Sequence, residues 1–252
     1  MELRSQNPEV LARELWSGTG LENLFPRDLE RAVLMKLPLP LIKLPVLAMP
    51  AVETWLAGKR LALPLPPYHY DLFGCLIAHR GHGFLFVCSA DSVDEQRLTL
   101  AHEVGHFLID YLWPRQQAMR ALGASITDVL DGVRKATPAE RAAAVLSRLH
   151  VGAYVHLLPR PGTDEDTAPI IARTETRADR LALELLAPRE QIHSFLHTLP
   201  ARKALSLPDH RAALAVHFGL PVYAFTPIGQ SPNEPRPISF LEDVRAALRR
   251  RQ

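Results

Sequence analysis

Cysteine is nearly missing from this chain: Cys75 and Cys88 are the only two in 252 residues. Two thiols cannot build a disulfide framework, and their spacing is not that of a Cys-x-x-Cys zinc pair. A surplus of one charge sign is lacking too. Lys and Arg number 29 against 27 Asp and Glu, and a net charge of +2 gives no sign of direct nucleic-acid binding. No run approaches the ~18–20 apolar residues of a membrane span. The apolar stretch from Leu37 to Val52 is broken by Pro38, Pro40, Lys43, Pro45 and Pro50 and reads as strand and turns. The first nine residues lack the basic-then-apolar form of an export signal, and there is no internal repeat. What remains, 47% hydrophobic and 22% charged residues, is the composition of an ordinary globular protein, expected to be soluble and cytoplasmic with no membrane partner.

Against that background one segment carries chemistry: Ala101-His102-Glu103-Val104-Gly105-His106. In His-Glu-x-x-His the two histidines leave one face of a helix a turn apart, where both can hold a tetrahedral zinc at ~2.0–2.1 Å. Glu103 is turned about 100° from His102, placed to take a proton from water rather than to join the ligands. The context is helical. Ser92-Val93-Asp94-Glu95 has the form of a capping box. Leu98, Ala101, Gly105, Leu108 and Leu112 make an apolar stripe, Thr99, His102, His106 and Asp110 a polar line, and Pro114 lies beyond the expected end. Gly105 lowers helix propensity, so something is expected to pack closely there.

Two histidines need another protein ligand and an open position for water. Thr174 to Pro188 reads as a second helix, with Ala178, Leu181, Ala182 and Leu185 as its buried face and Glu175 bordering that face. Spacing alone makes Glu175 a solvated charge in a first helical turn. The two segments together, however, resemble the ImmA/IrrE family of bacterial metallopeptidases. The resembling residues are Arg97, Ala101-His102-Glu103 and Gly105-His106, then Glu175-x-x-Ala178-Asp179 and a helix ending Leu185-Leu186-x-Pro188. The resemblance runs loosely through Pro26–Glu30, Val52–Leu56 and Leu214–Pro221. It implies His102, His106 and Glu175 as zinc ligands, with manganese as a substitute in vitro, and Glu103 as catalytic acid and base. Asp179, one turn past Glu175, would then orient a ligand histidine. The chain departs from the family in Ala187, where Met is usual, in a longer stretch between the motifs, and in having too little chain after Pro188 for a sensor-like domain.

The expected fold class is α+β: a minimal zincin-like peptidase with a small, mostly antiparallel sheet packed on the His-Glu-x-x-His helix, plus additional helices. Residues 1–60 form a helical and strand segment, with helices at Pro8–Trp16, Arg27–Met35 and Ala51–Leu56 around a strand at Leu41–Leu47. Residues 61–200 form the core. They start with the extended connector Leu63–Pro67 and a hairpin over Asp71–Ser89, and contain a helical insertion at about 114–172. Helices are expected there at Ile126–Lys135 and Pro138–Leu149, followed by a polar loop at Arg160–Asp166. Residues 201–252 form a C-terminal helical segment ending in arginines. If the hairpin turns on Gly81-His82, Cys75 faces Cys88, and both are expected as inert core thiols.

The motif predicts a zinc hydrolase, and the resemblance implies a zinc-dependent endopeptidase. The resemblance implies a narrow protein substrate, a helix-turn-helix repressor encoded nearby and cut to relieve repression in a stress or mobile-element response. Met1–Pro26 is too short to be that repressor domain. The alternative is a regulatory protein that keeps the fold and sequesters its partner uncut, against which Glu103 speaks. A digestive peptidase is disfavoured by the missing export signal. Amide hydrolysis also needs a hydrogen-bond donor for the oxyanion, for which His217, Tyr68 and Tyr70 are candidates. His193 and His197, though i,i+4, read as one solvated face.

Overall fold

The computed structural model describes residues 1–63, 65–67, 70–147, 151–160, 169–199 and 207–229, excluding the side chains of 143–147, 169–173, 207 and 226–229. The fold is α+β. Helices α1 (Pro8–Trp16) and α2 (Leu29–Lys36) precede β1 (Leu41–Leu44) and α3 (Met49–Gly58). The hairpin β2 (Leu72–His79) and β3 (His82–Cys88) runs into α4 (Val93–His106), a π-helical turn (Phe107–Leu112) and α5 (Trp113–Leu122). Then come α6 (Thr127–Leu130), α7 (Pro138–Ser147), β4 (Tyr154–Pro159), α8 (Pro169–Leu186), α9 (Arg189–Thr198) and α10 (Leu207–Phe218), with a final 3₁₀ segment at Val222–Gly229. No helix among the described residues is long and apolar enough to cross a membrane.

The four strands form one mixed sheet in the order β1-β3-β2-β4. β1 runs parallel to β3, and the other pairs are antiparallel. Alternation along the strands sorts their side chains onto two buried faces. Leu76, Ala78, Leu85, Val87 and Leu158 pack with α4, α8 and the N-terminal helices, whereas Leu72, Cys75, Ile77 and Phe86 pack with Val52 and Leu56 of α3. Leu11, Leu15 and Trp16 of α1 share the first cluster with Leu181 and Leu185 of α8, so the N-terminal helix packs directly on a site helix.

The hairpin turn is Arg80-Gly81, with φ of +54° and +80°, not Gly81-His82. Two positive φ values at the central residues suit the right-handed twist of the strands. Gly83 serves packing instead: a Cβ there would meet Leu39 Cδ1 at 2.6 Å and Phe107 Cε2 at 3.1 Å. The one-residue change of frame pairs Cys75 with Phe86, so the two thiols do not oppose each other. Both are free and buried.

Other boundaries also differ from expectation. The chain stays helical through Pro114, because the π turn delivers that proline to the first turn of α5, where its missing N–H costs nothing. The helix expected at Ile126–Lys135 shrinks to α6, ended by Gly132 at φ +72°. The stretch between the motifs is not purely helical but contributes β4 to the sheet. Helix α8 begins at Pro169, so Glu175 lies in its second turn rather than its first. Pro64, Tyr68, residues 161–166 of the polar loop and the expected C-terminal helix at Ile238–Arg250 fall outside the described residues.

Candidate metal centre

Helix α4 starts as its sequence dictates. The Ser92 hydroxyl accepts the Glu95 N–H at 3.2 Å, and the Glu95 carboxylate accepts the Ser92 N–H at 3.3 Å. Arg97 further ties the helix to the Gly219 carbonyl beyond α10. From this fixed start, His102, Glu103 and His106 all arrive fully buried. Gly74 of β2 makes the space for Glu103: a Cβ there would lie 2.8 Å from Glu103 Oε1.

Helix α8 crosses α4 at Gly105. A Cβ on Gly105 would meet the Ala178 backbone at 3.0 Å, so the missing side chain and the small alanine allow the close approach expected from the sequence. This contact puts Glu175, itself buried, 3.2 Å from His102 Nε2 through Oε2 and 3.6 Å from His106 Nε2 through Oε1. The two imidazole Nε2 atoms are 3.0 Å apart. On the far side of each ring a carboxylate accepts the Nδ1 proton: Asp179 Oδ1 from His102 at 2.9 Å, and Asp110 Oδ2 from His106 at 2.8 Å. Arg177 in turn holds Asp110 at 2.7 Å.

The sequence reading missed His156. It projects from β4 into the same space, with Nδ1 2.9 Å from Glu103 Oε2 and Nε2 3.1 Å from Glu175 Oε1. His102, His106, His156 and Glu175 together offer one ligand atom each within 4.8 Å of one another, a group able to hold a metal ion. Burial opposes protonation of His102, but Asp179 and Glu175 outweigh it and raise the imidazole well above its ordinary value. Burial opposes it at His156 too, yet Glu103 and Glu175 push that ring up to about 9. Glu175 meets the converse: burial works against its charge, and the three histidines hold it far below the usual carboxylate range. Such a demand for positive charge fits a divalent cation. Glu103 Oε1 and Glu175 Oε2, buried acceptors without a hydrogen bond, fit one as well.

Of the three expected oxyanion donors, two are described, and neither is among the group of four donors. His217 stacks on Phe195 with ring centroids 4.0 Å apart, and burial lowers its pKa. Tyr70 is exposed, and Tyr68 lies outside the described residues. His193 and His197 are exposed on α9, as expected. Tyr154, two residues before His156, was also missed. Its phenol is kept neutral first by burial and then by Asp110, Glu103 and Glu175. No family model, curated protein or solved structure matches the chain.

Proposed function

We propose that this protein is a metal-dependent endopeptidase, with a zinc ion held by His102, His106 and Glu175 and with Glu103 as general base. One observation carries the reading: three donors converge from α4 and α8, and His156 links them to the buried Glu103 carboxylate. Zinc bound there would supply Lewis acidity to the scissile carbonyl and lower the pKa of water toward ~7. Glu103 takes the proton of the attacking water through Oε1, the oxygen with no hydrogen bond, and returns it to the leaving amine. Tyr154, neutral and on the same strand face as His156, is the best-supported donor to the oxyanion. β4 lies at the sheet edge among the described strands, where an extended peptide can align. The likeness of the two motif helices to ImmA/IrrE peptidases extends the proposal to the substrate, a helix-turn-helix repressor encoded nearby.

The test uses full-length protein loaded with zinc, or with manganese, and a neighbouring helix-turn-helix protein as substrate. Glu103→Gln should retain its metal and lose cleavage by roughly 10²–10⁴-fold, because the amide fills the space without accepting a proton. A variant that cleaves at the parent rate rules Glu103 out as the base. A non-cleaving sequestering protein would instead keep its full effect in cells with Gln at this position.

A further inference from the structure

We infer that His156 is a fourth metal ligand, and that its engagement closes the site in a resting form which must open before a peptide is cut. The ligand role stands on geometry alone, whereas the resting form rests on the peptidase reading above.

Donor atoms ~2.0–2.1 Å from one tetrahedral ion lie roughly 3.3–3.4 Å from each other. The His156 Nε2 to Glu175 Oε1 separation is 3.1 Å, alongside 3.0 Å for the two α4 imidazoles and 3.2 Å and 3.6 Å from those rings to Glu175. Toward Glu175, His156 thus stands as the two α4 imidazoles do, and all four ligand atoms lie within 4.8 Å of one another. Its ring stacks on that of His106 with centroids 3.6 Å apart.

The second observation is a pattern shared by all three rings. Metal-bound histidines nearly always donate the remaining ring N–H to a carboxylate, a carbonyl or water. Here His102 has Asp179, His106 has Asp110 and His156 has Glu103, each on Nδ1 at 2.8–2.9 Å. In this form Glu103 does for His156 what Asp179 does for His102.

Four protein donors make a site of the closed, structural type, whereas hydrolytic sites keep one position free. Withdrawal of His156 therefore does two things at once: it vacates a ligand position and releases Glu103 Oε2. The sheet allows it, since β4 is bonded to β2 on one side and is the edge strand among the described residues.

The experiment measures zinc affinity by chelator competition on full-length parent, His156→Ala and His156→Gln. It also titrates azide into the cobalt(II)-loaded forms and follows their visible bands. Both variants should lose zinc affinity by more than ~100-fold, the upper end of what loss of an outer carboxylate costs. Azide should shift the bands of the variants and not those of the parent, and imidazole added to His156→Ala should restore the parent spectrum. Unchanged zinc affinity in two folded variants, or azide binding equally to the parent, overturns the ligand role. At saturating zinc, His156→Ala should cleave faster than the parent. Slower cleavage with unchanged affinity would make His156 a substrate donor instead. If no form cleaves anything, the peptidase reading falls while the affinity and azide results still decide the ligand.

Discussion

Glu175, Asp179 and Glu184 share one helix but meet three different surroundings, and zinc retention should rank accordingly. Glu175 lies among the imidazoles, Asp179 accepts from the far nitrogen of His102, and Glu184, whose carboxyl pKa burial raises, is not one of the group of four donors. Metal analysis after dialysis should find the largest loss in Glu175→Ala, about 10–100-fold weaker binding in Asp179→Ala, and parent behaviour in Glu184→Ala. Full retention in Glu175→Ala would remove it from the ligand set. At this scale the sequence was readable where spacing is local: His102, Glu103, His106 and Asp110 lie within three helical turns. Glu175 and Asp179 were found only through their joint pattern. His156 had no such signal beyond the alternation of Tyr154 and His156 with Val155 and Leu157, which puts two polar rings on one strand face. The thiols behave as expected despite their different register. Burial, and then the Glu103 charge, push the Cys75 thiol well above its ordinary value. Replacing both cysteines by Ser should leave zinc stoichiometry unchanged, and in the folded parent neither should react with a maleimide. Rapid labelling without unfolding would refute their burial.

At the scale of elements, the site depends on how closely α8 approaches α4. Alanine at Gly105 would gain about 1 kcal/mol in helix propensity. Its methyl would also press on the Ala178 backbone at 3.0 Å, and overpacking of this kind costs ~1–3 kcal/mol. Backbone cannot rotate away as a side chain can, so the overpacking wins. Gly105→Ala should melt at a lower temperature and bind zinc more weakly, and a variant that gains stability would show that the helices are free to separate. The far end of α8 is fixed independently. The Arg27 guanidinium donates to the Leu185 carbonyl at 2.7 Å, and the Trp16 indole N–H donates to it at 3.0 Å. Capping signals and the hairpin were legible here because each is written in a few adjacent residues. The turn frame was not, because Gly81 and Gly83 are both plausible turn glycines and only the packing of Leu39 and Phe107 against Gly83 tells them apart. β4 escaped notice because it is short and its place is set by pairing with β2, far earlier in the chain.

For the whole molecule, the site gathers four carboxylates around three buried or half-buried imidazoles, and a metal ion should therefore stabilise the fold. Free zinc at about a hundred times its dissociation constant contributes ~2.7 kcal/mol, so a chelator should lower the melting temperature. Equal melting with and without chelator would disprove a bound metal. The effect should depend on pH. In the metal-free protein His102 and His156 have raised pKa values, the latter about 9 against an ordinary 6.5. A group raised on folding contributes stability that is full below its unfolded value and lost as pH rises through its folded value. The metal-free protein should thus weaken between pH ~6.5 and about 9, while zinc, which replaces those protons, should stabilise more strongly across the same interval.

The donors come from α4, β4 and α8, in that order along the chain. A ribosome making this protein releases His102 and His106 long before His156, and Glu175 last of all. Before His156 the nascent chain offers a lone pair of imidazoles, and before Glu175 three rings without their carboxylate, a weak and exchangeable grip on any metal. If the site takes a metal as proposed, its capture is a late event in biosynthesis, and a chain truncated before Glu175 should leave the ribosome without an ion. On that reading the distance between the motifs, which looks like mere extra length, would act as a delay between making the first half of the site and arming it.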